Sequence, residues 1–251
     1  MDVKQCLIQY RVWMLEDRLR HATMVFCGYA KDVLQLIEQW LTYSFEDEQR
    51  TIWLDAFQLL RKKVQQLDQV ADYDDEKYIQ LLRTLRAEGA SLAIVNTIQR
   101  EHQRFLYVMR KNELASLREP LRRIAKLADE PFSERAYKQQ IFYYSTKPIQ
   151  LIDQFDYFAE SLRKTTMQQV IEEQLQLIIS QLVDQLAHFG IFEIRAFGQK
   201  LDGERMISIG SLPASYAQNV EQHHVCKVYE RGYYIEETQE VLRESKVMTV
   251  M

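Results

Sequence analysis

Glycine is nearly missing from the first three quarters of this sequence. Of seven glycines only Gly28 and Gly89 precede residue 190, whereas Gly190, Gly198, Gly203, Gly210 and Gly232 crowd the end. Glycine marks turns and helix stops, so the chain changes architecture near residue 190. Cysteine is scarce too. Cys6, Cys27 and Cys226 lie far apart without C-x-x-C spacing, and an odd number cannot form a complete set of intrachain disulfides. A reduced, cytoplasmic setting is expected. There is no 18-residue uncharged stretch, and the amino terminus MDVKQCLIQYRVWMLEDRLR has no apolar block, so neither a membrane span nor a signal peptide is expected. No charge of one sign dominates: 32 Lys and Arg face 36 Asp and Glu, for a net charge of −4. No global field would draw nucleic acid or an anionic membrane, so partners must be recognised locally.

What is present is mostly helix-forming, and 47% hydrophobic residues suffice for a packed core. Leu7, Val12, Leu15, Leu19, Val33, Leu34, Ile37 and Leu41 stand at helical spacing, which predicts two helices or one bent near Gly28. Ser44 with Asp47 resembles a capping box opening a helix over 46–71, after which DYDDE (72–76) restarts the chain. From Glu76 to about Ala128 no proline intervenes before Pro120, and Leu114, Leu117, Leu121 and Ile124 step like a coiled-coil seam. Unbroken, that run would be a rod of roughly 75 Å, which must pair with a second protomer or with the amino-terminal helices.

DEPFSER (129–135) reads as a break. A short helix over 136–144 leads to Pro148, and IQLIDQFDYFAESLRK (149–164) reads as one amphipathic helix. Thr165 and Thr166 can cap the next, whose apolar positions run from Val170 to Phe189, with His188 in its last turn and Gly190 as its stop. Beyond Gly190 the period becomes two. Phe192, Ile194 and Ala196 alternate with Glu193, Arg195 and Phe197, and β-rich runs follow at 205–209, 225–229 and 241–250. The expected fold is mainly α with a small all-β carboxy-terminal domain.

The carboxy-terminal residues resemble GrpE proteins, the nucleotide exchange factors of DnaK-type chaperones. Phe189 and Gly190 match that family's helix end, and Leu201 with Asp202 its turn. Val225, Val228, Gly232 and Tyr233 match V-x-x-V-x-x-x-G-Y, and Val241, Leu242, Arg243, Lys246 and Val247 match the last strand. The helix pair ending in LVDQLAHFG resembles the family's dimeric bundle, so the resemblance covers residues 148–250. It departs where the family's D-P-x-x-H-x-A has Gly203, Met206 and Ser208, and where the tip IEETQE is longer than the family's usual turn.

The resemblance implies a helical bundle or long-helix stalk carrying a β-wing, divided as 1–72, an added helical region; 73–147, stalk and connector; 148–189, the helix pair; and 190–251, the wing. The amino-terminal part departs most. GrpE proteins usually begin with a short polar tail, but Trp13, Trp40 and Trp53 are not residues of a disordered tail.

An exchange factor needs no catalytic residue, metal or cofactor, and none is expected. The resemblance implies a DnaK-type ATPase domain as partner and a homodimer through 76–128 and 149–189. Wing residues Tyr229, Glu230, Arg231, Gln239, Glu240 and Arg243 are the candidate contacts, although Tyr229 and Arg243 also fit sheet packing and surface charge. Gly232 reads as a positive-φ turn.

Other chemistry is poorly supported. His223 and His224 are adjacent and on a strand would face opposite sides. Asp184 and His188, four apart, fit a paired helix end. No G-x-x-x-x-G-K-S/T or G-x-G-x-x-G occurs. RKNELASLREPLRRIAK (110–126) is basic but has no interleaved aromatic, which reads as a solvated face or one docked on an acidic partner rather than a nucleic-acid strip. The alternative to an exchange factor is a helical scaffold or adaptor that uses the wing as a protein-binding module.

Overall fold

A computed structural model of the chain describes residues 2–43, 47–67, 76–111, 117–163, 169–216 and 220–251. Ser44, Leu114, Thr165, Thr166 and most of DYDDE, which carried sequence expectations, lie outside the described residues. The architecture is mainly helical and ends in a small all-β wing. Helix α1 (Val3–Tyr43) is unbroken. Gly28 costs an exposed helix position about 1 kcal/mol, but Phe26, Cys27 and Ala30 around it are all buried. Their packing holds the helix through the glycine.

The 76–128 run is not one rod. It folds as α3 (Glu76–Ala87), α4 (Leu92–Lys111) and α5 (Arg118–Leu127). Gly89, at φ +76°, ends α3 with Gly89 N–H donating to Arg86 O and Ala90 N–H to Leu85 O, the paired bonds of a Schellman stop. Ser91 Oγ accepts the Ile94 N–H at 3.4 Å and begins α4. Both signals are legible in E-G-A-S, but the proline-free run hides them. The break at 129–135 is confirmed, with Asp129 at φ +50° and Ser133 capping α6 (Glu134–Arg163).

Pro148 does not divide α6. It removes one helical hydrogen bond, yet Ser145, Pro148, Ile149 and Ile152 are buried and the helix runs on. Tertiary packing outweighs the local cost. Helix α7 (Gln169–Asp184) tightens into a 3₁₀ turn, Gln185–Phe189, and stops at Gly190 with φ +75°.

Helix α1 is the centre of the body. It packs on every other helix, including α2 (Asp47–Leu67), which also packs on α6 through an edge-to-face contact of Trp53 with Phe158. Its buried stripe carries Asp17, whose carboxylate takes Lys77 Nζ at 2.6 Å and the Tyr78 hydroxyl at 2.9 Å. One apolar cluster runs from α1 through all these helices to Ile191, Tyr233 and Ile235 of the wing. No described helix is long and apolar enough to cross a membrane.

The wing has two three-stranded sheets. In the first, β4 (Gly232–Ile235) lies between β1 (Ile191–Ile194) and β5 (Glu240–Arg243), antiparallel to both. In the second, β6 (Ser245–Val250) lies between β2 (Met206–Leu212), to which it is parallel, and β3 (Val225–Glu230). The expected last strand is therefore two strands. The chain leaves the first sheet at Glu244 and enters the second at Ser245, and Ile194, Ala196, Met206, Val225 and Val247 fill a second small core.

Candidate functional site

The wing is fastened to α6 by charge. Asp153 and Asp156, one turn apart, face the sheet. Arg231 Nε and Nη2 donate to the two Asp156 oxygens at 2.7 and 3.0 Å, and its Nη1 donates to Glu193 at 2.6 Å. Arg243 donates to both Asp153 oxygens at 2.7 and 2.8 Å, and its Nε donates to Arg231 O at 2.8 Å. Both guanidinium groups are mostly buried. Burial works against each charge, but the facing carboxylates outweigh it and hold both pKa values above the ordinary arginine value. Glu230 adds ion pairs to Arg243 at 3.3 Å and Lys246 at 2.6 Å. Such two-pronged pairs fix orientation as well as position.

The longer tip is also docked. Turn 236–239 carries Glu237, whose Oε2 accepts the Tyr137 hydroxyl of α6 at 2.7 Å, while Arg118 of α5 reaches Glu237 O at 3.4 Å. Glu240 is ion-paired with Lys138, and Gln239, at φ +57°, accepts from Arg205 at 3.2 Å. Burial pushes the Glu237 carboxyl above the ordinary carboxylate range. The added residues of IEETQE therefore join the wing to the helical body. They are not a free loop reaching for a partner.

Gly232 is corrected. It has no positive φ and does not make the turn: it begins β4, and EETQ (236–239) turns the chain. What demands glycine is space. A Cβ there would lie 2.4 Å from Ser245 Oγ, 2.5 Å from Ser245 N and 2.9 Å from Arg243 O, at the crossing between the two sheets.

Part of the second sheet is open to solvent. Tyr229 is half exposed, with its hydroxyl against Met248 Sδ at 3.1 Å and Lys227 Nζ 4.6 Å from its ring. Ile207 and Ile209 on the edge strand β2 are exposed as well. Of the six candidates, Tyr229, Gln239 and Glu240 are exposed, although Gln239 is also held by Arg205 and Glu240 by Lys138, while Glu230, Arg231 and Arg243 are partly buried and engaged within the chain.

The basic stretch is docked on acids of its own chain. Arg118 takes Glu134 at 2.9 Å, Arg122 pairs with Glu119 and Glu134, and Arg123 takes buried Glu101 at 3.0 Å. Asp184 does not pair with His188, because the turn between them is 3₁₀ and four residues no longer share a face. No group of three or more His, Cys, Asp or Glu able to hold a metal occurs among the described residues. Nothing in the local sequence marks Asp153 and Asp156 as anchors of the wing. Their only signal is D-Q-F-D in α6, which reads equally well as a solvated helix face.

A family model described as GrpE matches residues 56–251, from the middle of α2 to the last residue. Helix α1 lies outside it. No curated protein matches the chain significantly.

Proposed function

The chain belongs to the GrpE family, and on that premise we propose that it is a non-catalytic exchange factor of the cytoplasm, which binds the ATPase domain of a DnaK-type chaperone and holds its nucleotide cleft open. The observation that carries this reading is the family match, which runs through both the helix pair and the wing. An exchange factor acts by binding the open lobe arrangement better than the closed one, so that factor and nucleotide weaken each other reciprocally. That requires a surface that does not yield. A wing clamped to a 30-residue helix by two bidentate arginines supports such a surface.

Tyr229 and Gln239 are the proposed direct contacts. Glu230, Arg231, Glu240 and Arg243 are proposed to keep that surface in shape. The test is release of a fluorescent nucleotide from the chaperone of the same cell, with and without this chain. Acceleration is expected, and Tyr229→Ala should lower it about tenfold with an unchanged melting temperature, the effect of losing one central contact of about 1.4 kcal/mol. Absence of acceleration by the folded wild type sinks the proposal.

Chaperone binding without faster release would instead support the adaptor reading. The observation favouring that reading is α1, which lies outside the family match, forms the centre of the body and exposes Val12, Met24, Tyr29 and Leu36.

A second copy of the chain is the other proposed partner, through the helices of 76–128 and 149–189. α1 and α2 already cover part of the α6–α7 hairpin, so pairing would use other faces, where Tyr143, Tyr157 and Leu177 are exposed. Sedimentation equilibrium should return twice the 30.0 kDa chain mass. A single-chain mass at tens of micromolar, well above a typical dimer affinity, rules the pairing out.

A further inference from the structure

Most half-buried arginines of this chain meet a carboxylate, and Arg18 does not. Arg118, Arg231 and Arg243 each hold one in two-pronged fashion, and Arg123 sets its Nη2 against both oxygens of Glu101. Arg18 is the most buried of them, at 6% exposure, and no described residue gives it a hydrogen bond or an ion pair. Burial drags its pKa down to about 10. Its nitrogens are not among the enclosed unpartnered atoms, so they reach the space beside them, and a cation held there without a counter-ion favours an anionic occupant.

Arg18 opens on a cavity of about 80 Å³ between α1, α5, α6, the 3₁₀ turn and the wing tip. At roughly 10–15 Å³ for each water, that is room for several waters or for a four- or five-atom oxyanion. His188 lines the same cavity, with its Nδ1 buried and unpartnered. Burial and the charges of Arg18 and His21 hold its imidazole below the ordinary histidine value. Glu237 closes the tip side. Its Oε2 is occupied by Tyr137, its Oε1 is buried without a partner, and burial favours its neutral form, in which Oε1 can donate. Leu15, Leu19 and Phe189 supply apolar walls.

We propose that this cavity is a binding site for a small oxyanion, a phosphate or carboxylate group, anchored by Arg18 and oriented by His188. The occupant would bridge α1 to the wing tip. It therefore stabilises the seating of the wing on the body, since a ligand bound only by the folded state shifts the folding equilibrium.

The test is thermal melting of the full chain at pH 7 in sodium phosphate, sodium acetate and sodium chloride at equal ionic strength. Phosphate, acetate or both should raise the midpoint above the chloride value. Phosphate alone identifies a phosphate site, and an equal response to acetate identifies a carboxylate site. Arg18→Met, which replaces the buried cation by an apolar side chain of similar length, should weaken the response at least tenfold in concentration. Identical midpoints in the three salts, or an Arg18→Met response equal to wild type, overturns the proposal. A second readout does not depend on that variant folding. Titrating wild type with phosphate and with acetate should shift the His188 ring protons saturably, with the resonance assigned by His188→Gln. A resonance that does not move with either, or moves without saturating, overturns the proposal equally.

Discussion

Gly232→Ala is expected to destabilise the wing by about 3 kcal/mol or more, at the upper end of what overpacking costs. Two of the three atoms an added Cβ would meet, Ser245 N at 2.5 Å and Arg243 O at 2.9 Å, belong to the backbone and cannot rotate away. The third, Ser245 Oγ, accepts the Gly232 N–H at 2.9 Å, so moving it breaks a buried hydrogen bond. Relief must come from separating β4 from the crossing at Glu244. That also strains the Arg243 Nε bond to Arg231 O and with it the grip on Asp153. Hydrogen exchange of the β4 and β6 amides should accelerate in the variant, while the amides of the α1 core stay protected. Adding Ser245→Gly should not restore stability, because the backbone contacts remain. Full recovery in that double variant would show that the side chain alone required glycine.

Asp17→Ala is expected to cost about 3 kcal/mol, the loss typical when one partner of a buried charge pair is removed. For a chain of this length that lowers the melting temperature by roughly 6–12 °C. Asp17 is buried at 4% exposure and is held by Lys77 Nζ, the Tyr78 hydroxyl and Arg20 Nη1. Truncation removes the acceptor Asp17 offers the buried Tyr78 hydroxyl and the carboxylate it offers Lys77. Asp17→Asn keeps an acceptor for Tyr78 and should cost less, about 1–2 kcal/mol. The measurement is circular dichroism melting of both variants. It also bears on the part of the chain outside the family match, since wild-type melting of Asp17→Ala would mean that α1 is not integral to the folded body.

Much of the fold was legible because local signals and tertiary packing agree. The helical stretch to residue 189, the stop at Gly190 and the switch to β structure rest on glycine placement and a change of period. Burial of Leu117, Leu121 and Ile124 agrees with the seam read from their spacing. The misreadings fall where long-range contacts decide. Pro148 is a poor helix residue locally, yet it sits in a helix whose neighbouring side chains are buried. The run 241–250 has one uninterrupted β-forming composition, and only the stacking of two sheets assigns its halves to different partners. At the candidate site, Arg231 and Arg243 were recognisable as wing residues, but their roles depend on acids 75 and 90 positions away. No spacing rule connects such positions.

By itself the sequence determined what depends on neighbours along the chain: the helical stretch, the boundary near residue 190 with β structure beyond it, and the GrpE-like motifs that run through the wing. Helix stops, capping and period-two alternation act over a few residues, which makes them readable one segment at a time. The tertiary structure alone decided what depends on neighbours in space. It put α1 at the centre of the body, paired the arginines of α5 with Glu101 and Glu134 of neighbouring helices, and docked the lengthened tip on Tyr137 and Lys138. It also left Arg18 facing a cavity without a direct ion pair. Whether a charge is solvated, paired or stranded is settled by which distant residue the fold brings within a few ångströms, and that distance is not written in the order of the residues.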